Sequence, residues 1–164
     1  MNAKKIFLFV GATACLALFI ACDDGSGGDD DGTGGRGQEL DAASAACVER
    51  INGFRATLSL EPLDRWAGAE SCADGQAETD SQHPEEAHYS FQECDEYAQN
   101  ECPGWASYDD IVQGCLLAMW DEGPGEPYED HGHYINMSNT AYTEVACGFY
   151  TTPDGYVWSV QDFR

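Results

Sequence analysis

Six cysteines constrain this chain more than any other feature: Cys47, Cys72, Cys94, Cys102, Cys115 and Cys147. An even set of this size in an exported domain reads as three disulfides, and residue order alone leaves 15 pairings open. No two of the six stand as C-x-x-C, which argues against a thiolate metal cluster. Disulfides need an oxidising compartment, and the start of the chain offers a route to one. Met1-Asn2-Ala3-Lys4-Lys5 is basic and Ile6 to Ala21 carries no charge, the pattern of an export signal. That run is shorter than the roughly 20 residues a membrane-spanning helix needs.

The two remaining cysteines fall at this end of the chain. Cys15 lies inside the signal and Cys22 closes it. Leu18-Phe19-Ile20-Ala21-Cys22 resembles a bacterial lipobox, in which the cysteine becomes the lipidated first residue of the mature protein. Cysteine parity supports this reading, because a seventh exported cysteine would otherwise be stranded. We therefore expect a lipoprotein signal peptide over 1–21, then lipidated Cys22 and an acidic Gly-rich linker to residue 38. Residues 23–38 contain seven Gly and five Asp, too little apolar surface to fold. Asp29-Asp30-Asp31-Gly32 misses the calcium-loop register because position 27 is Gly.

Both lysines belong to the signal, so five arginines remain against all 30 acids, and the whole chain carries −23. A field of that sign repels phosphate backbones, which excludes nucleic acid as a partner. Residues 39–164 nevertheless hold four Trp, eight Tyr and four Phe, enough for one stable core and too little chain for two.

Leu40, Ala43, Cys47, Ile51, Phe54 and Leu58 recur at helical spacing, with Asp41 placed to cap the start. Past Pro62 a second helix is predicted from Trp66 to about Ser81, with Ala69, Cys72, Ala73 and Ala77 on one face. Residues 82–106 read as irregular, punctuated by Pro84, Pro103 and Gly104. A third helix is predicted over Tyr108–Trp120, with Ile111, Val112, Cys115, Leu116 and Met119 inward. After a Gly/Pro loop, Val145, Cys147 and Phe149 alternate as in a strand. Thr152-Pro153-Asp154-Gly155 then turns into a second strand, Tyr156 to Phe163. Helices first and a hairpin last predict an α+β fold with helices packed on a small antiparallel sheet.

Familiar catalytic signatures are missing: there is no H-E-x-x-H, G-x-S-x-G, phosphate loop or dinucleotide fingerprint. The residues instead resemble the CAP superfamily (cysteine-rich secretory proteins, antigen 5 and pathogenesis-related proteins, or SCP domain). Gly132-His133-Tyr134-Ile135-Asn136-Met137 is similar to its G-H-Y-T-Q motif, and Val145-Ala146-Cys147-Gly148-Phe149 to its G-C-G/A motif. Asn52 and Arg55 sit as in its N-x-x-R helix, and Glu61-Pro62-Leu63 as in its P-L segment. Met119-Trp120-Asp121-Glu122 resembles its M-W-x-x-E helix end, and Trp158-Ser159-Val160-Gln161 its last strand. The resemblance covers about residues 45–164.

That resemblance implies a three-layer α-β-α sandwich, and a cleft lined by two His and two Glu that hold a divalent metal such as zinc in some members. Position by position, His133 takes the second histidine and His88 the first, with His83 as a rival. Glu96 takes the first acid through Cys94-Asp95-Glu96-Tyr97-Ala98. An alternative register over Ala98-Gln99-Asn100 puts neutral Gln99 in that place. Glu122 takes the second acid, with Asp121 as a shorter substitute. Two imidazoles and two carboxylates suit a first-row cation. The expected function is a non-enzymatic, lipid-anchored module of the bacterial cell envelope, binding a small hydrophobic or lipid-like ligand or a protein partner in this cleft. The rival is a metal-dependent hydrolase using His88, Glu96, Glu122 and His133.

Overall fold

A four-stranded sheet lies between two helical layers. The computed structural model describes residues 37–164, so the signal, Cys22 and the linker as far as residue 36 lie outside the described residues. Helix α1 spans Gln38–Thr57 and buries Ala43, Cys47, Val48, Ile51 and Phe54. Its start carries no side-chain cap. Asp41 instead pairs with Arg65 at 2.6 Å. Strand β1 (Asp64–Arg65) and a 3-10 turn (Ala67–Ala69) lead into α2, Glu70–Ser81.

Strand β2, Ala98–Trp105, is followed by α3 (Tyr108–Asp110), a π turn (Ile111–Cys115) and α4 (Leu116–Asp121). Another 3-10 turn, Tyr128–Asp130, precedes the short helix α5, Gly132–Ser138. The hairpin of β3 (Glu144–Thr151) and β4 (Val157–Phe163) closes the chain. The sheet order is β1-β3-β4-β2, with β2 and β3 both antiparallel to β4. The two-residue β1 runs parallel to β3, so the sheet is mixed.

Alternation along the strands sends side chains to two cores. Val145, Cys147, Phe149, Val157 and Phe163 join α1, α4 and α5 in the larger one. Ala146 and Val160 meet Ala69, Ala73 and Ala77 of α2 in the smaller. Alanines and a glycine let α2 come close. A Cβ at Gly148 would sit 2.1 Å from the Ala73 carbonyl carbon.

Three disulfides fix the layers: Cys47–Cys147 ties α1 to β3, Cys72–Cys94 ties α2 to the following segment, and Cys102–Cys115 ties β2 to the π turn. Cys72 is exposed and bonded outward, so it does not share the buried face of Ala73 and Ala77.

Two elements depart from the sequence expectation. The stretch read as irregular ends in β2, whose first five residues are all buried although Gln99, Asn100 and Glu101 are polar. Gly132–Ser138 is helical because a distant carboxylate caps it. Glu122 accepts the backbone N–H groups of His133 (3.1 Å) and Tyr134 (3.3 Å), satisfying donors that a helix start leaves unpaired.

The family-like first helix has a physical basis. Asn52 pairs with both backbone groups of Leu63, donating from Nδ2 at 2.9 Å and accepting at Oδ1 at 2.8 Å. Arg55 is buried and donates to the carbonyls of Glu61, Met137 and Asn139. One asparagine and one arginine thus hold the loop after α1 and the end of α5.

Candidate functional site

Strand β2 is a sheet edge, and the polar residues at its start reach into both neighbouring layers. On one side His88 donates from Nδ1 to Gln99 Oε1 (3.0 Å), and its backbone N–H donates to Glu101 Oε2 (3.0 Å). His88 adopts φ +58°, a conformation that non-glycine residues seldom hold without compensating contacts. On the other side Asn100 donates to the His133 carbonyl at 3.2 Å and accepts from Asn136 at 2.9 Å. His133 Nδ1 pairs with Glu122 Oε1 at 2.5 Å, the carboxylate that also caps α5.

Glu101 is the residue between the two histidines. Burial raises its pKa above the usual carboxylate range, while the His88 N–H and the charges of His88 and His133 oppose that rise. The sequence assigned it no role. Its signal was the alternative register, which places Glu101 two residues beyond Gln99 and so on the same strand face.

Of the four residues expected in the cleft, His133 and Glu122 form a direct pair and His88 approaches from across β2. Glu96 lies elsewhere: it is buried, accepts from Gln76 (2.8 Å) and the Cys94 N–H (2.9 Å), and takes the Gln92 N–H as well. That carboxylate closes the turn before β2. Neutral Gln99, the alternative, is the side chain facing His88.

The other candidates are accounted for. His83 stacks on Tyr89 with ring centroids 3.7 Å apart and donates to the Thr79 carbonyl. His131 clamps the Gly/Pro loop, donating to the Glu122 and Gly123 carbonyls. Asp121 is exposed.

A divalent ion needs donors that converge, and these residues do not fit that requirement. His88 and His133 line different hollows, and Glu96 is turned away into its own turn. Among the described residues, Cys94, Glu96 and Asp162 do bring ligand atoms within 4.8 Å of one another. The Cys94 sulfur is bonded to Cys72, however, and offers no thiolate. What remains is a pair of buried carboxyl groups.

Two hollows open beside β2, the first toward α4 and the second toward α5. The first, about 620 Å³, has Trp105, Ala118, Met119 and Tyr156 in its wall, with Glu101, Glu122 and His133 also lining it. Trp105 packs against Gly114, where a Cβ would come within 2.8 Å of the ring. The π turn widens the helix at that point. Such turns recur at functional sites. The second hollow, about 480 Å³, is lined by His88, Gln99 and several aromatic rings. The two histidines therefore line separate hollows, with Glu101 between them.

The family model described as "CAP: Cysteine-rich secretory protein family" matches residues 48–163. The chain belongs to the CAP family. No curated protein matches the chain. Among solved structures, the CAP domain is similar to BmVAL-1, with a TM-score of 0.62 and 16% identity over 80% of this chain and 79% of that one. Na-ASP-1 matches with a TM-score of 0.60 and 12% identity over 74% of this chain, which spans only 38% of Na-ASP-1. NaASP2, solved with Zn²⁺, matches with a TM-score of 0.57 and 10% identity over 80% of this chain and 82% of that one. At such identities the likeness carries the fold and nothing more. The expected α-β-α arrangement is the arrangement found.

Proposed function

We propose that this CAP-domain protein is a binding module of the bacterial cell envelope rather than a catalyst. Residues 1–21 would be removed on export, Cys22 lipidated, and the acidic linker to residue 38 would hold the domain clear of the membrane. Among the described residues no helix is long and apolar enough to cross a membrane; in this reading the lipid on Cys22 makes the attachment.

One observation carries the ligand reading: the hollow of about 620 Å³ pairs an apolar wall of Trp105, Ala118, Met119 and Tyr156 with the polar group Glu101, Glu122 and His133. Mostly apolar walls with a few placed polar groups are what small-ligand sites use. A small hydrophobic or lipid-like molecule fits this division, its chain against Trp105 and its polar head at His133. A hydrophobic side chain of a protein partner would use the same contacts.

The test is a titration of the protein with tetradecanol, read by tryptophan emission. A saturable shift is expected that disappears in Trp105→Phe and weakens about tenfold when Ala118→Trp fills the hollow. No saturable shift, or one indifferent to both variants, overturns the reading.

A second reading rests on the His133–Glu122 pair, which has the form of a general base and the group that orients it. It supports hydrolysis only if water is the nucleophile, because Cys115, which also lines the hollow, is bonded to Cys102. A screen of ester and peptide substrates, with and without chelator, decides it. Turnover lost in His133→Ala supports this reading and silence removes it.

A further inference from the structure

The second hollow has a chemistry of its own. It holds about 480 Å³ between β2, α5 and the segment carrying His88. In a chain with 30 acids, no carboxylate and no arginine is among its lining residues. A cation would find no countercharge there, and an anion would be repelled by the field of the whole molecule. The ligand that suits it is neutral.

The wall narrows the class further. Phe91, Tyr97, Tyr128 and Tyr142 line the hollow, with Tyr97 72% and Tyr128 55% exposed. Only Ala98 and Ile135 are aliphatic. An acyl chain gains most from an enclosed aliphatic wall, whereas open aromatic faces favour a flat-sided ligand that stays partly hydrated.

Polar groups of both kinds lie among the rings. Asn139 brings a carboxamide and Tyr128 a hydroxyl, both of which donate and accept, while the buried Asn136 spends its amide hydrogens on Gln99 and Asn100 and holds the Tyr128 hydroxyl at 3.4 Å. The His88 ring bonds through Nδ1 to Gln99, and its Nε2 has no hydrogen-bond partner among the described residues. Hydroxyl groups, which also donate and accept, complement such a set. A sugar ring offers both features, C–H faces to lie on tyrosine and hydroxyls around its edge.

We propose that this aromatic hollow binds a neutral saccharide, with Tyr97 and Tyr128 as stacking faces. The site is separate from the hollow beside His133 and does not depend on what occupies that one.

Full-length protein is titrated calorimetrically with cellotriose, maltotriose and chitotriose, three neutral trisaccharides. At least one is expected to bind saturably, and Tyr97→Ala and Tyr128→Ala each to weaken it about tenfold or more. Tyr97 is mostly solvent-exposed, so its loss leaves the core intact, and an unchanged melting curve verifies this. Saturation-transfer NMR on the bound sugar should mark its C–H faces. Absence of saturable binding for all three sugars overturns the proposal, as does binding that survives both variants. It also fails if tetradecanol binding, rather than sugar binding, is what Tyr97→Ala removes.

Discussion

Asp162 lies fully buried on β4, with one carboxyl oxygen accepting from Gln99 at 3.1 Å and the other without a hydrogen-bond partner. Burial raises its pKa from 3.8 to about 8, and the neighbouring Glu96 charge adds to the rise. The folded protein therefore keeps a proton that the unfolded chain gives up near pH 4. Stability attributable to this residue falls as pH climbs from about 4 to about 8, and levels off above. Asp162→Asn keeps the shape and removes the titration. The variant should gain on the parent by a few kcal/mol at pH 8 and by little at pH 4. Denaturant midpoints across that range measure it, and parallel pH curves would refute it. His133 and Glu122 were legible in the sequence because their motifs are contiguous. The place of Glu96 was not legible, because a C-x-E spacing also describes a carboxylate that accepts the N–H groups of its own turn. Glu101 was hidden by being polar within a buried edge strand.

At the scale of elements, α2 packs on β3 with backbone close to backbone at Gly148. Gly148 faces the Ala73–Asp74 backbone so closely that any side chain must push the helix away. The Phe149 N–H donating to Asp74 Oδ1 at 2.8 Å holds the same contact from the next residue. Gly148→Ala should cost about 1–3 kcal/mol by overpacking, read as a lowered unfolding midpoint, and a neutral result would mean the layer yields freely. Asn52→Ala tests the loop after α1 in the same way. It strips both partners from the Leu63 backbone and should cost about 1–3 kcal/mol. The helical elements α1, α2 and α3–α4 were legible because apolar residues recur at helical spacing over many turns. Helix α5 was not, since its seven residues are too few to show a period and depend on Glu122 for capping. Strand β2 escaped for a related reason. With Gln99 and Glu101 on one face and Asn100 on the other, β2 shows no alternation of apolar and polar residues.

For the whole molecule, the bridges differ in the length of chain they close. Cys47–Cys147 spans 100 residues, Cys72–Cys94 spans 22 and Cys102–Cys115 spans 13. Longer loops lose more freedom in the unfolded state when closed. Replacing each pair by alanines should therefore destabilise most for Cys47–Cys147, by about 4 kcal/mol or more, and least for Cys102–Cys115. Chemical denaturation of the three variants ranks them, and a reversed order would show that packing around the sulfurs outweighs loop length. At the other end of the chain, Cys22→Ala should move the protein from the membrane fraction to the soluble one. Continued sedimentation with membranes would remove the lipid tether.

The pairing of α1 with β3 through Cys47 and Cys147 joins the first described helix to a strand made much later. A ribosome must therefore add 100 residues after Cys47 before that link can form. Partial chains would wait with an unpaired thiol, exposed to wrong partners, so faithful assembly depends on an oxidant and an isomerase. A cell that lacks either should yield scrambled, aggregation-prone material however well the gene is expressed.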